Sequence, residues 1–160
     1  MVIEDLQRLI AQEKELQFEK FDNETAWQLG CLIKQNAEAM SGKVAIEITR
    51  NNHRLFSYAM PDTTPDNLCW IERKSNVVQR YQHSSWYVGQ YYKAKGKNIE
   101  EASLVDQKHF APFGGGFPVC VQGVGVIGSI TVSGLSQYED HQLVVDSLRQ
   151  YLATDRVSEI

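Results

Sequence analysis

The residues best equipped for chemistry gather around one stretch, which runs from His109 through Phe113 to Gly114, Gly115, Gly116 and Phe117. His109 is the imidazole that precedes the three glycines. The three glycines allow close backbone approach to a ligand, or an anion-binding nest of amide groups. A flexible turn explains the same glycines equally well. A ligand site, if there is one, is expected beside these glycines and Phe117, where a loop enters a rigid hairpin. Arg73 and Lys74 are its expected charged partners because they begin the basic part of the chain. The alternative is that Gly116-Phe117-Pro118 sets the entry angle of a strand, with Phe117 in the core.

That basic part is well defined. From Cys69 to Lys97 there are six basic residues and one acid, a balance of +5, so the rest of a chain of net charge −4 carries −9. Such asymmetry can attract an anionic ligand or an acidic neighbouring subunit, or it can be a solvated face. The net negative charge argues against a general nucleic-acid binder.

Other chemistry is hard to read. His53, His83 and His141 complete the histidines, and none shows metal-ligand spacing with another His or Cys. His141 shares an apolar arc with Val144, Val145, Leu148 and Leu152, where a hydrogen-bonded structural histidine is expected. No G-x-S-x-G elbow, phosphate loop or carboxylate pair is legible. Gly123-Val-Gly125-Val-Ile-Gly128 matches the dinucleotide fingerprint, yet it runs into Ser129-Ile-Thr-Val-Ser133, a poor helix start. Without a helix N-terminus those glycines cannot present amides to a pyrophosphate. Strand twist or close backbone approach is the expected role.

The positioning elements follow from periodicity and caps. A helix is expected from Val2 to about Glu15. A second is capped by Asp22 or Asn23 and carries Ala26, Leu29, Gly30, Ile33, Ala37 and Met40 on one stripe. Val44–Arg50 and Arg54–Met60 alternate around Asn51-Asn52, a hairpin with Val44, Ile46 and Ile48 on one face. Thr64 and Pro65 begin a third helix, with Leu68, Trp70, Ile71, Val77, Val78 and Tyr81 on one half and Glu72, Arg73, Asn76, Gln79 and Arg80 on the other. Ser84 or Ser85 caps a fourth, Trp86 to Lys95. Its aromatics can stack a flat ligand or serve as core and interface. Asn98 to Ala111 reads as a short helical connection. Pro118–Gln122 and Val124–Ser133 form a second hairpin, in which Val124, Val126, Ile130 and Val132 face one way and Gly125, Ile127, Ser129, Thr131 and Ser133 the other. The latter face suits a pocket floor or close helix packing. Ser136 and Glu139 then cap a helix reaching about Leu152.

The order is helix-helix, hairpin, helix-helix, hairpin, helix: an α+β class with a mainly antiparallel sheet. The 160 residues, 42% hydrophobic and 22% charged, suit one globular domain over 1–160, with 1–22 as a helical N-terminal extension. An odd count of three cysteines, no signal-like core and no membrane-length apolar run point to a cytoplasmic, non-membrane protein.

FDNETAWQLG, PDTTPDN with WIERKSNVV, GGGFPV and GVGVIGSITVSGLSQYEDHQLVV together resemble a conserved family related to the haem-degrading HbpS/GlcG-like superfamily. The resemblance spans nearly the whole chain. It implies a profilin-like three-layer α/β/α arrangement, with about five antiparallel strands and helices on both faces, and a homo-oligomer built from dimers. It also raises haem as a cofactor, for which His109 or His83, the Trp and Tyr residues, and Arg73 or Lys74 are the available groups. Two functions are carried forward: a small-ligand or haem-binding, haem-degrading protein, and a non-enzymatic oligomeric scaffold or interaction module.

Overall fold

Each chain reversal sits on a residue that tolerates it. The computed structural model describes residues 3–158. Its helices are α1 (Ile3–Glu15), α2 (Asn23–Ala39), α3 (Pro65–Tyr81), α4 (Ser85–Ala94), α5 (Ile99–Ser103) and α6 (Gln137–Ser158), and its strands β1 (Ala45–Arg50), β2 (His53–Ala59), β3 (Gly116–Val121) and β4 (Gly125–Ser133). Val2, expected in the first helix, lies outside the described residues.

Caps explain the helix starts. Asp22 accepts from the Thr25 amide at 2.9 Å while the Thr25 hydroxyl accepts from the Asp22 amide, a reciprocal box. Thr64 precedes Pro65 at the first helical position of α3, Ser84 caps α4, and the Ser136 hydroxyl accepts from the Glu139 amide at 3.2 Å. Asn51 and Asn52 both take positive φ, 51° and 63°, in the turn between β1 and β2. α6 runs beyond the expected Leu152. The expected connection contains only one short helix, α5, capped by Asn98, and Asp106 caps a turn instead through the Lys108 amide.

The sheet order is β2-β1-β4-β3 with every pairing antiparallel, so the two hairpins lie side by side through β1 and β4. About five strands were expected, and the sheet among the described residues has four. At the β3 edge a fifth position holds only a bridge: the Phe18 amide donates to Cys120 O and Phe18 O accepts from the Gln122 amide, both at 2.8 Å. Lys20, Asp22 and the start of α2 follow too soon for a strand to extend from there.

Two helices cover one face of the sheet and one covers the other. α2 and α6 pack on the apolar face, where Leu29, Ile33, Ile46, Ile48, Phe117, Val119, Ile130, Val132, Val145 and Leu148 form the main core. α3 packs on the opposite face, against β4 above all. There Thr49, Ser129, Thr131 and Ser133 are buried beneath it, so the small polar face serves close helix packing. This corrects the expected wheel of α3. Leu68 is 44% exposed, whereas Lys74 and Ser75 point inward with Ile71, Val77 and Val78. A seam of hydroxyls receives polar partners more favourably than apolar ones.

A bulge makes a second correction. Gly128 pairs with Val119 but Val126 with Cys120, leaving Ile127 as the extra residue. Ile127 therefore packs against the main core and Val126 turns to the α3 side, the reverse of the expected alternation. A side chain at Gly128 would bring its Cβ to 1.9 Å from Thr49 O. Close strand approach is therefore what this fingerprint glycine provides, and no helix follows it.

Candidate functional site

The polar seam under α3 ends in a buried ion pair. Thr49 and Ser129 hydroxyls lie 3.0 Å apart, and the Ser75 hydroxyl 2.8 Å from that of Ser129. Lys74, the residue before Ser75, reaches the rim of the sheet. Its Nζ donates to Asp140 Oδ2 and to Val132 O, each at 3.0 Å. Asp140 stands in the first turn of α6 and its Oδ1 accepts from the Leu135 amide at 3.0 Å. Lys74 is 3% exposed and Asp140 2%. Burial pulls the Lys74 ammonium below its usual range and lifts the Asp140 carboxyl above its own, while each partner's charge opposes the change.

Gly115 makes room for this amine. It has φ +135°, and a Cβ there would fall 2.6 Å from Lys74 Nζ. Beside the amine lies a cavity of about 320 Å³, lined by Asp66, Asn67, Trp70, Lys74, Phe113, Ser133, Gly134, Leu135, Gln137 and Asp140. Two carboxylates against one ammonium leave its wall with a net negative charge.

A second cavity of about 400 Å³ shares Phe113 and Gln137 with the first. It lies between α4, α5 and the loop from Gln107 to Phe113. Tyr92, Ile99, Phe110, Pro112 and Phe113 give it apolar walls, and Arg73, Lys93 and Lys97 oppose the single carboxylate of Glu100. Arg73 lies 4.6 Å from the Trp70 ring and donates through Nε to Gln107 O at 3.0 Å. The two cavities therefore have opposite electrostatic character.

The structure brings some expected site residues together and separates others. Lys74 meets Gly115, and Arg73 reaches the second cavity. The Gly114 amide donates to Gln137 Oε1 at 3.3 Å and the Gly116 amide to Ser85 Oγ at 2.9 Å, so these two amides already have protein partners. Phe117 is buried in the main core, 6.1 Å from the His141 ring. His109 is exposed and lines neither cavity, although its neighbours Gln107 and Phe110 line the second. The tyrosines of α4 offer no flat platform. Tyr91 and Tyr92 meet at 83°, and Tyr87 and Tyr92 pack against the small second core of Val77, Val88, Ile99 and Val105.

Asp140 was not legible as a partner, because 66 residues separate it from Lys74. The S-x-x-E box, which places Glu139 on the capping side of the same turn, is the only sequence signal that could have directed attention there.

A haem site needs an imidazole or similar ligand, an apolar slot and cations for the propionates. The second cavity supplies the last two, but among the described residues no histidine, cysteine or methionine lines it. The best oriented imidazole is elsewhere. His83 Nδ1 lies 2.9 Å from Glu13 Oε1, and its ring centroid is 4.7 Å from that of Tyr87. His141 is buried, with Nε2 at 2.9 Å from Gln12 Oε1, and burial lowers its pKa to about 4. Within one chain these residues do not assemble a complete haem site.

Comparison with known proteins fits this fold. The family model for haem-degrading HbpS-like proteins matches residues 21–149. A UPF0303 protein of Psychromonas ingrahamii is 49% identical over 143 residues, covering 89% of this chain and 90% of that protein. The crystal structure of Ybr137w protein aligns with TM-score 0.87 at 32% identity, over 94% of this chain and 88% of that one. The PduOC haem complex aligns with TM-score 0.64 at 19% identity, over 76% and 88%, a likeness of fold.

Proposed function

We infer that this chain, which belongs to the family of haem-degrading HbpS-like proteins, binds a small anionic ligand with an apolar body. One observation carries the reading: Arg73, Lys93 and Lys97 converge on an apolar-walled cavity that holds one opposing carboxylate. Cations at the rim hold carboxylate groups, and Tyr92, Phe110 and Phe113 exclude water from the ligand's body. His109, between two lining residues of the same loop, is proposed as a further polar partner at the entrance. The glycine loop, from Gly114 to Phe117, fixes Phe113 between the two cavities.

Haem matches this description in its two carboxylates and flat apolar ring, and family membership makes it the first ligand to test. Bound haem would supply redox chemistry at its iron. A second reading follows from His83, whose contact with Glu13 is of the kind that orients a metal-binding imidazole. In that reading His83 holds the iron, beside the apolar groove formed by Leu6, Ile10, Ala11 and Tyr87.

The experiment is titration with haemin, and with iron-free protoporphyrin, followed by absorption. Similar affinity for both is expected from the basic cavity, with a loss of roughly fivefold or more for Lys93→Ala or Lys97→Ala, about 1 kcal/mol for each partly exposed charge. Unchanged affinity in both variants would remove this cavity. A haemin-specific spectrum abolished by His83→Ala would establish the second reading instead.

The same reading takes the protein as a cytoplasmic homo-oligomer, one domain with residues 1–22 as an added helical segment. Free thiols at Cys31, Cys69 and Cys120, exposed Trp27 and Tyr138, and a family match beginning at residue 21 support it. Among the described residues no helix is long and apolar enough to cross a membrane. Sedimentation at micromolar concentration tests the assembly; an 18.2 kDa species alone would refute it.

A further inference from the structure

We propose that Lys74 is a reactive amine, and that the cavity it helps to line admits a small neutral aldehyde or ketone and captures it as an imine. Lys74 does not contribute to the basic cavity, and its surroundings exceed what a helix-to-helix brace requires. A brace needs two charges and their hydrogen bonds. Here the buried lysine also lines a cavity of about 320 Å³.

The amine has the three features that imine chemistry needs. It is withdrawn from water, which favours the neutral nucleophile. It has a proton acceptor in contact, Asp140 Oδ2 at 3.0 Å. Among the described residues its partners are two, Asp140 and Val132 O, so a tetrahedral nitrogen retains one further position for a ligand. Gly115 gives the nitrogen its room, since any side chain there would lie against it.

The lining selects the substrate class. Asp66 and Asp140 against Lys74 repel anions, which excludes keto acids and directs those ligands to the neighbouring basic cavity. Trp70, Phe113 and Leu135 provide apolar wall, and Asn67 and Gln137 provide amides near the entrance. A neutral carbonyl compound meets each of these groups without an unpaired charge.

The step balances without an oxidant or reductant. Asp140 takes one proton from the Lys74 ammonium, and Nζ attacks the carbonyl carbon as the C–O π bond opens. The carbonyl oxygen receives the proton that Asp140 holds, and the carboxylate so regenerated takes the extra proton of the nitrogen, giving a neutral carbinolamine. Asp140 returns that proton to the hydroxyl, which leaves as water as the C=N bond forms. Ammonium and carbonyl have become a protonated imine and water, and Asp140 is again a carboxylate.

The test uses the full chain with propanal or benzaldehyde and cyanoborohydride, which fixes each imine as a stable alkylamine, followed by peptide mass mapping. Lys74 should be alkylated at least tenfold faster than any of the other eight lysines at limiting aldehyde. The comparison is internal to the folded wild-type protein, so it does not depend on a variant folding. Asp140→Asn should slow Lys74 alone, with the surface lysines as reference, and Trp70→Ala should change the propanal-to-benzaldehyde ratio at Lys74. Alkylation of Lys74 no faster than the surface lysines overturns the proposal. So does a wild-type ratio in Trp70→Ala.

Discussion

The two faces of the sheet are built from different chemistry. Under α2 and α6 lie Ile46, Ile48, Phe117, Val119, Ile130 and Val132; under α3 lie Thr49, Ser129, Thr131, Ser133 and the ion pair at the rim. The first face is held by removal of apolar surface from water, which is insensitive to direction. The second depends on hydrogen bonds, each specific to a partner and costly when that partner is missing. The two sides of a single sheet therefore answer to different perturbations, loss of apolar volume on one and loss of a polar or charged partner on the other. α6 serves both, since consecutive residues of its first turn diverge: Asp140 joins the polar rim and His141 enters the apolar core beside Phe117.

The largest test of this contrast removes one charge of the pair. Lys74→Met leaves the Asp140 carboxylate buried without its cation, and a loss of about 3–5 kcal/mol is expected by urea unfolding. Adding Asp140→Leu should return stability to near the wild-type value, as no apolar-face double substitution would. On the opposite face, Ile130→Ala removes a fully buried side chain, with about 3 kcal/mol expected and no rescue by a second truncation.

Acid provides a comparable probe of the apolar face. The pKa of His141 in the folded state, about 4, lies below its ordinary 6.5, so the unfolded chain binds the proton more readily. Its contribution is fully present above pH 6.5 and is lost as pH falls toward 4, roughly 3 kcal/mol over that window. His141→Gln should flatten the pH dependence of unfolding between those limits. The smallest effect is on the polar face. Thr131 Oγ1 is buried without a hydrogen-bond partner among the described residues, so Thr131→Val should stabilise by about 1 kcal/mol on thermal unfolding.

Much of this fold was legible because local signals governed it. Asp22, Thr64, Ser84 and Ser136 mark helix starts through their own hydroxyls and carboxylates, and Asn51-Asn52 marks a turn by tolerating positive φ. The inward turn of Lys74 was not legible. A helical wheel ranks residues by polarity, whereas here the surface beneath the helix is itself polar, and that surface is assembled from β1, which precedes the helix, and β4, which comes long after it. The β4 bulge escaped for a related reason: alternation in Val124–Ser133 continues through Ile127, and only the pairing with β3 reveals the extra residue. The approximate place of the glycine loop was readable, but its division between an acidic and a basic cavity was not.

The bridge at Phe18 has a consequence for how copies of this protein can meet. It occupies the hydrogen-bonding rim of β3, so one border of the sheet is stoppered by the chain's own N-terminal segment. Among the described residues, the border at β2 has no strand or bridge beyond it. Growth of the sheet by strand addition is therefore one-directional. Two copies joined β2 to β2 would use up both open borders at once, ending in a closed pair rather than a fibre.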